Sequence, residues 1–154
     1  MDGEVNKTDL DDLAEKLKFL INEIQPDIVV TFEKNGVSNH PDHKHISAAA
    51  TKAFKSWMGK AKKHVRLYHI GVPRSYMEAY EKRGLSNKAF GETPGVPDED
   101  FTTIVDTSDV FNLKDQAARM HKSQAKDWER FVKRMEFVDL KKEFFELIAE
   151  NELI

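Results

Sequence analysis

The sequence contains no cysteine in 154 residues, and this absence removes several classes of protein at once. Without cysteine there is no disulfide scaffold, no cysteine-ligated zinc site and no thiol nucleophile. A dominant charge is also lacking, because 24 Lys and Arg against 27 Asp and Glu give a formal net charge of −3. Near-neutral charge argues against a nucleic-acid-binding protein held by bulk electrostatics. Any zinc in this protein must therefore be bound by histidine and carboxylate.

Long apolar runs and recognisable targeting signals are also missing. No apolar stretch approaches the roughly 20 residues that span a bilayer, and the N-terminal sequence MDGEVNKTDLDD is acidic and polar, unlike a secretory signal. The chain has neither a glycine-rich phosphate loop nor a G-x-S-x-G nucleophile elbow. Its length fits one domain. The composition therefore predicts a single soluble, cytoplasmic domain without a nucleic-acid partner or a membrane span.

The N-terminal third contains two helix patterns separated by a strand pattern. Apolar residues recur at helical spacing in residues 8–24, where Thr8 and Asp11 resemble a capping box. Residues 27–32 are apolar and β-branched without alternation, which is typical of a strand buried on both faces of a parallel sheet. After a polar turn, Pro41 suits the first turn of a second helix.

The remainder of the chain continues this alternation. Further strands are predicted at residues 65–72 and 101–106, a short helix at 73–83 and a long helix at 110–134. Residues 84–100 are rich in glycine and proline and predict a long loop, either a lid over a site or a plain mobile loop. Residues 142–149 fit a strand or an amphipathic helix, and aromatic and β-branched residues favour the strand. The order predicts an α/β fold, a Rossmann-like, mostly parallel sheet with flanking helices.

The segment His40-Pro41-Asp42-His43 is the strongest candidate for chemistry. It follows the first predicted strand and opens a helix, and ligands of open α/β sheets bind at such junctions. A neutral histidine is a good zinc ligand, and a nearby aspartate can orient an imidazole or raise its basicity for proton donation and oxyanion stabilisation. The alternative is a polar helix start with exposed histidines. Helical geometry turns His45 away from His43, so we expect His45 at the surface.

A second polar group lies on the predicted long helix. Lys114, His121 and Gln124 are spaced by seven and three residues, so one continuous helix would place them on one face. Such a stripe can line the floor of a pocket, although a single histidine on a helix is more commonly an ordinary surface or core residue. His64 and His69 are interpreted as structural or exposed.

Two long stretches resemble a known family. PDIVVTFEKNGVSNHPDHKHISAAATKAF closely resembles the second signature of the zinc-dependent de-N-acetylases of the LmbE/PIG-L type, and VDTSDVFNLKDQAARMHKSQ resembles a later signature. Met1-Asp2-Gly3 resembles the Pro-Asp-Gly piece that precedes them. The resemblance runs in the expected order from the first residues to about Gln124.

The resemblance implies a Rossmann-like fold that removes an acetyl group from an N-acetylglucosaminyl moiety, so that the partner is a small N-acetyl sugar conjugate. It implies that His43 is a zinc ligand and that His40 stabilises the tetrahedral intermediate. It also implies that Asp42 does not bind zinc itself but adjusts the properties of the site as a neighbouring partner. Asn39 stands where the family often has glycine. The residues expected to support the pocket are Asn39, Lys114, His121 and Gln124.

The family's first signature, Ala-His-Pro-Asp-Asp-Glu, has no counterpart in this sequence. In the family it supplies the other histidine and aspartate zinc ligands and the general base. Asp11-Asp12 lacks the preceding His-Pro and lies in a predicted helix. A catalytic zinc needs about three protein ligands, and the resemblance supplies one.

Three hypotheses follow for residues 1–154. The chain is an N-terminally incomplete deacetylase domain, without the first strand or strands and inactive alone; or it is a non-catalytic relative that binds a sugar or a partner; or His40, His43 and His121 form a different metal site. The first predicts exposed sheet edges and an apolar face, and hence self-association or a complementing N-terminal segment.

Overall fold

The computed structural model describes residues 3–86 and 89–152, so Met1 and Asp2 of the family match lie outside the described residues. The strands are β1 (Ile28–Phe32), β2 (Arg66–Gly71), β3 (Thr103–Asp106) and β4 (Lys142–Glu150). The helices are α1 (Leu10–Ile24), α2 (Gly36–Asn39), α3 (Pro41–Trp57), α4 (Arg74–Glu81), α5 (Phe111–Arg119) and α6 (Ala125–Lys133). Helices and strands alternate, and the predicted α/β class is confirmed.

The four strands form one sheet in the order β1-β2-β4-β3. β1 and β2 pair in parallel, whereas β4 pairs antiparallel with both β2 and β3. Three of the four strands therefore point the same way, as expected for a mostly parallel sheet, and the C-terminal strand is inserted between two of them in the opposite direction. The preference for a strand at the C-terminus is confirmed.

Helix α1 forms where the apolar spacing predicts it, but its cap differs. The side chain of Asp9 accepts hydrogen bonds from the backbone N–H groups of Asp11 and Asp12. The Thr8 hydroxyl donates instead to the carbonyl of Val5. The predicted capping box at Thr8 is wrong, because a carboxylate one residue later satisfies the helix N-terminus.

The core lies between the sheet and the pair α1 and α3. It consists of Ile21, Ala53, Phe54, Trp57, Val65 and Leu67. β1 is an edge strand, however, and Ile28 and Val30 are 51% and 50% exposed. The expectation that this strand is buried on both faces is therefore wrong for the described chain.

The predicted long helix is broken into α5 and α6. Between them Met120 ends the first helix, His121 has non-helical backbone angles (φ −79°, ψ 70°), and a 3₁₀ turn covers Lys122–Gln124. The apolar spacing continues across this break, which is why the sequence pattern alone indicated one helix.

Apolar side chains are exposed near both edges of the sheet. Ile28 and Val30 are exposed on β1, and Ile104 and Val105 on β3. Phe19, Leu20 and Ile24 on α1 are exposed as well. The exposed edges expected from the sequence are therefore observed. Across residues 3–86 and 89–152, no helix combines the length and the apolarity needed to cross a membrane.

Candidate active site

The site is built on a tight turn that follows β1. Glu33 is 6% exposed, and its carboxylate accepts hydrogen bonds from the backbone N–H groups of Asn35 (2.6 Å) and Val37 (2.7 Å). These bonds hold Gly36 and Val37 at φ values of 66° and 62°, a region that a β-branched residue rarely adopts. The turn is thus fixed by a buried carboxylate that the sequence analysis treated as ordinary turn chemistry.

His43 receives its orientation from this turn. Its Nδ1 lies 3.0 Å from the carbonyl oxygen of Gly36, which can only accept, so Nδ1 donates and Nε2 carries the lone pair. This is the tautomer found when a metal-binding histidine is oriented by a backbone carbonyl. The ring stacks on Phe32 with centroids 4.3 Å apart. His43 therefore has the form that a zinc ligand requires.

Gly36 has to be glycine for His43 to sit here. A Cβ atom at this position would lie 2.6 Å from the Cβ of His43 and 2.9 Å from the backbone nitrogen of Lys44. Both contacts are too short for any side chain. The Asn-Gly turn thus does more than reverse the chain, because it lets the backbone approach the first turn of α3.

His40 has the complementary hydrogen-bonding role. It is the N-cap of α3, and its Nδ1 accepts from the backbone N–H of Asp42 at 3.2 Å. In the neutral ring this leaves the proton on Nε2, which suits His40 to donate to an oxygen that gains negative charge. The rings of His40 and His43 stack with centroids 4.8 Å apart. The structure therefore brings one donor and one acceptor imidazole together.

The carboxylate of Asp42 is hydrogen-bonded to the N-terminal segment. Its two carboxylate oxygens accept from the backbone N–H groups of Gly3 (2.8 Å) and Asn6 (2.9 Å). The hydrogen bond from Asn6 leads the effects that hold the pKa of Asp42 below its ordinary value, with smaller contributions from Gly3 and nearby His40. Asp42 thus anchors the N-terminal segment to α3, because the first turn of α3 directs its side chain there.

Phe90, in the segment predicted to be a long loop, contacts this site. The Asn39 side-chain amide donates to the carbonyl of Phe90 at 2.7 Å, and the Phe90 ring meets the edge of His40 with centroids 4.4 Å apart. Asn39 itself has φ 61°, a conformation that asparagine tolerates better than most residues. Asparagine in place of glycine therefore keeps the turn and adds a link to the loop.

The three polar residues predicted on one helix face are separated. Lys114 lines the same cavity as His43, and its ammonium lies 2.6 Å from the Glu143 carboxylate. His121 and Gln124 are exposed and line a different, shallow depression beside Trp128. The break between α5 and α6 turns them away, so the common face expected from their spacing is not formed.

A site made by His40, His43 and His121 is therefore wrong. Within the described ranges, no group of three or more histidine, aspartate or glutamate side chains is arranged to hold a metal ion. His43 keeps an Nε2 lone pair because its Nδ1 donates to the carbonyl of Gly36.

Sequence reasoning missed several residues near the site. Glu33 and Phe90 were not singled out, although a carboxylate directly after a strand and before Asn-Gly is a usable signal for a fixed turn. His45 was expected at the surface, but it is half-buried, and its Nε2 is buried without a hydrogen-bond partner in the described structure. We have no physical account of that atom.

Comparison with known families adds an independent observation. Residues 1–54 match the family model described as PIG-L: GlcNAc-PI de-N-acetylase. This span includes β1, the turn and the first part of the histidine motif's helix through Phe54. No solved structure matches the chain.

Curated relatives share similarity over a longer part of the chain. The 1D-myo-inositol 2-acetamido-2-deoxy-alpha-D-glucopyranoside deacetylase 1 of Saccharopolyspora erythraea is 33% identical over 131 residues, covering 78% of this chain and 41% of the relative. The 1D-myo-inositol 2-acetamido-2-deoxy-alpha-D-glucopyranoside deacetylases of Thermobifida fusca and Actinosynnema mirum are 29% and 32% identical. Those alignments cover 77% and 75% of this chain, and 46% and 42% of the relatives. The chain thus spans less than half of the length of these relatives.

Proposed function

Because the chain belongs to the PIG-L family of de-N-acetylases, we propose that it supplies the His40 and His43 part of a zinc-dependent site that hydrolyses an N-acetylglucosaminyl amide. In this reaction the oxygen of water bonds to the acyl carbon, the carbon–nitrogen bond breaks, the amine takes a proton and acetate leaves. The observation that carries the proposal is the pair of opposite imidazole tautomers at the end of β1.

The residues of this chain have different roles in the proposed reaction. His43 would hold zinc through Nε2, and a zinc ion, when bound, polarises the amide carbonyl and makes water more acidic. His40 donates from Nε2–H to the carbonyl oxygen as negative charge develops there. Gly36 and Glu33 hold the ring of His43 in place. Lys114, on the wall of the same cavity, contributes positive charge that its ion pair with Glu143 partly offsets.

We further propose that the domain is completed by a segment outside this chain that carries the family's His-Pro-Asp-Asp signature. One assured ligand is too few for a catalytic zinc site. The unpaired edge of β1, with exposed apolar residues on β1 and α1, supports a further strand or a self-association surface there. His121 and Gln124 keep a pocket-supporting role only as a prediction, as does the cytoplasmic location.

The test separates metal binding from hydrolysis. With a segment carrying the missing signature added, we expect zinc to bind and to shift the imidazole NMR signals of His43. Zinc affinity should fall in the His43→Ala variant and stay unchanged in His64→Ala. Acetate release from an N-acetylglucosaminyl glycoside should appear only when a segment with the missing signature is added, and should vanish in His43→Ala. Zinc binding that is unchanged in His43→Ala would contradict the assignment.

A non-catalytic binding relative is the second candidate. The lack of a three-ligand metal cluster within residues 3–86 and 89–152 favours it. It predicts saturable binding of the sugar conjugate that zinc does not strengthen, and no acetate release even with the complementing segment.

A further inference from the structure

A cavity of about 350 Å³ opens beside His43 and is larger than an acetyl group alone would need. His43 and Phe32 form one wall, at the end of β1, and Tyr76, Phe131 and Phe144 come from α4, α6 and β4. A cavity of this size lies within the range of small-molecule sites. An acetyl group would fill a small part of it, which leaves room for the sugar or for a group attached to the sugar or to the acyl carbon.

Five phenylalanine and tyrosine rings contribute to the walls of the cavity, namely Phe32, Tyr76, Tyr80, Phe131 and Phe144. Phe144 packs against Tyr76 with ring centroids 5.4 Å apart. Tyr80, near the C-terminal end of α4, is almost completely buried. Burial raises the pKa of Tyr80 to about 12, against smaller opposing effects such as the nearby Arg134. Tyr80 therefore stays neutral at all physiological pH values, and this wall presents rings without negative charge. Aromatic walls of this kind favour a flat apolar group.

One cation on the wall has an unused donor. The Nε of Arg134 is buried and has no hydrogen-bond partner among the described residues. The Arg134 guanidinium carbon lies 4.5 Å from the centre of the Tyr80 ring, and Nη2 donates to the carbonyl of Leu85 at 3.1 Å. A buried donor without an acceptor is unfavourable, so this atom indicates an oxygen acceptor in the bound ligand.

The ammonium groups of the other two cations on the cavity wall already have carboxylate partners. Lys114 pairs with Glu143 and Lys142 pairs with Asp139. Among these three cations, Arg134 is thus the one with a donor that a ligand oxygen could satisfy. Because Arg134 lies beside aromatic rings, that ligand oxygen would lie next to an apolar group of the ligand.

We propose that this cavity binds an aromatic arm of the N-acylglucosaminyl substrate, with an oxygen next to the ring accepting from Arg134. The proposal rests on the function proposed for His43, because it places the arm beside that residue. It names a substrate class, aryl-bearing N-acylglucosaminyl conjugates, that the names of the curated relatives do not include. An aromatic arm can come from the glycosidic oxygen or from the acyl group, and the choice of probes distinguishes these two sources.

The experiment measures binding by the full chain through intrinsic fluorescence. Trp128 stacks on Phe131 with ring centroids 4.8 Å apart, and Phe131 lines the cavity, so an arm in the cavity should change Trp128 emission. The probes are phenyl 2-acetamido-2-deoxyglucopyranoside, methyl 2-benzamido-2-deoxyglucopyranoside and methyl 2-acetamido-2-deoxyglucopyranoside. We expect at least one aryl probe to bind about tenfold more tightly than the methyl acetamido compound.

Matched variants test the role of Arg134. Arg134→Lys keeps the charge but removes the planar donor, and we expect it to weaken aryl binding about tenfold. Arg130→Lys, at an exposed position of α6, should bind as the unmodified protein does. If Arg134→Lys does not fold, Val72→Phe, which places a ring in the cavity, should abolish aryl binding. Equal affinities for aryl and methyl probes, or equal affinities of the two lysine variants, would overturn the proposal.

The same measurements distinguish this inference from the proposed function. The zinc response of His43 and the preference for an aryl probe are both measured on the unmodified protein. Aryl binding without any zinc response of His43 would reject the proposed function and keep the cavity assignment. Zinc binding by His43 without preference for an aryl probe would do the reverse.

Discussion

At the residue scale, the site depends on two histidines whose ring protons are placed by different backbone groups. His40 uses Nδ1 to accept from the start of α3, and His43 uses Nδ1 to donate to Gly36. Their Nε2 atoms therefore have opposite character, although the residues are identical. A zinc ligand and an oxyanion donor can in this way lie next to each other without exchanging roles.

Gly36→Ala tests the close approach that His43 needs. A Cβ atom at residue 36 would lie 2.6 Å from the Cβ of His43. Alanine would also have to adopt the φ of 66° that Gly36 has. We expect a loss of about 2–4 kcal/mol of unfolding free energy, from backbone strain and overpacking together. Urea denaturation measures this value.

Gly84→Ala is the matched control for that substitution. Gly84 also has φ 66°, but nothing lies within 4 Å of its Cβ position. It should cost only the conformational strain, about 1 kcal/mol. Equal losses in the two variants would mean that the contact with His43 contributes nothing.

Glu33→Gln tests the carboxylate that fixes the turn. Glutamine can accept from one of the two backbone N–H groups but presents its own donor to the other. We expect a loss of about 1–3 kcal/mol in urea denaturation and a shift of the His43 ring signals in NMR. Glu23→Gln, on the exposed face of α1, should change neither measurement.

At the scale of elements, β2 carries a buried histidine that should make stability depend on pH. His69 is buried, its Nε2 lies 2.9 Å from the Thr51 hydroxyl oxygen, and burial, with a smaller effect of Lys55, lowers its pKa from 6.5 to about 4. The unfolded chain therefore binds a proton more readily than the folded chain between these two values. The free energy of unfolding is therefore not reduced by His69 above pH 6.5, and it decreases as the pH falls from 6.5 towards 4.

His69→Gln should remove this part of the pH dependence. We expect the unmodified protein to lose about 1–2 kcal/mol more than the variant between pH 6.5 and pH 4, with partial solvation of the ring taken into account. Urea denaturation at several pH values measures the difference. His64→Gln, which changes a half-exposed histidine paired with Glu150, should retain the loss. The same curve for His69→Gln and the unmodified protein would show that burial does not hold His69 neutral.

Local sequence patterns predict some elements of this fold and fail for others. The apolar spacing of α1 and the aromatic residues of β4 predict both elements because each pattern is complete within its own segment. The long helix fails at His121, where the spacing of apolar residues continues although the backbone leaves the helical region. Periodicity reports which side of a segment is apolar, and two short helices with one apolar side satisfy it as well as one long helix.

At the scale of the whole molecule, the sheet leaves two edge strands with exposed apolar side chains, β1 and β3. Ile24 at the end of α1 is 70% exposed, and Ile28, at the start of β1, is 51% exposed. An unpaired strand edge beside exposed apolar side chains favours association. This surface lies on the side of the sheet where we propose that a completing segment binds.

The chain alone should therefore associate, and charge on the β1 edge should prevent it. We expect concentration-dependent oligomers in sedimentation velocity and binding of an apolar fluorescent dye. The double variant Ile24→Lys and Ile28→Lys should shift the distribution to the monomer. Met120→Lys, at an exposed position far along the chain, serves as the control. A monomeric unmodified chain with little dye binding would contradict the prediction.

The sequence by itself determined the elements of the first third and the strand at the C-terminus, the His40 and His43 motif, and the family. These features depend on neighbours within a few residues, so short sequence patterns are enough to predict them. Only the tertiary structure decided that β4 inserts antiparallel between β2 and β3, that Asp42 binds the N-terminal segment and that Lys114 joins His43 while His121 does not. It also placed Arg134 in an aromatic cavity. These outcomes depend on contacts between residues far apart in the chain, whose free energies are set by packing and hydrogen-bond satisfaction and not by any local pattern.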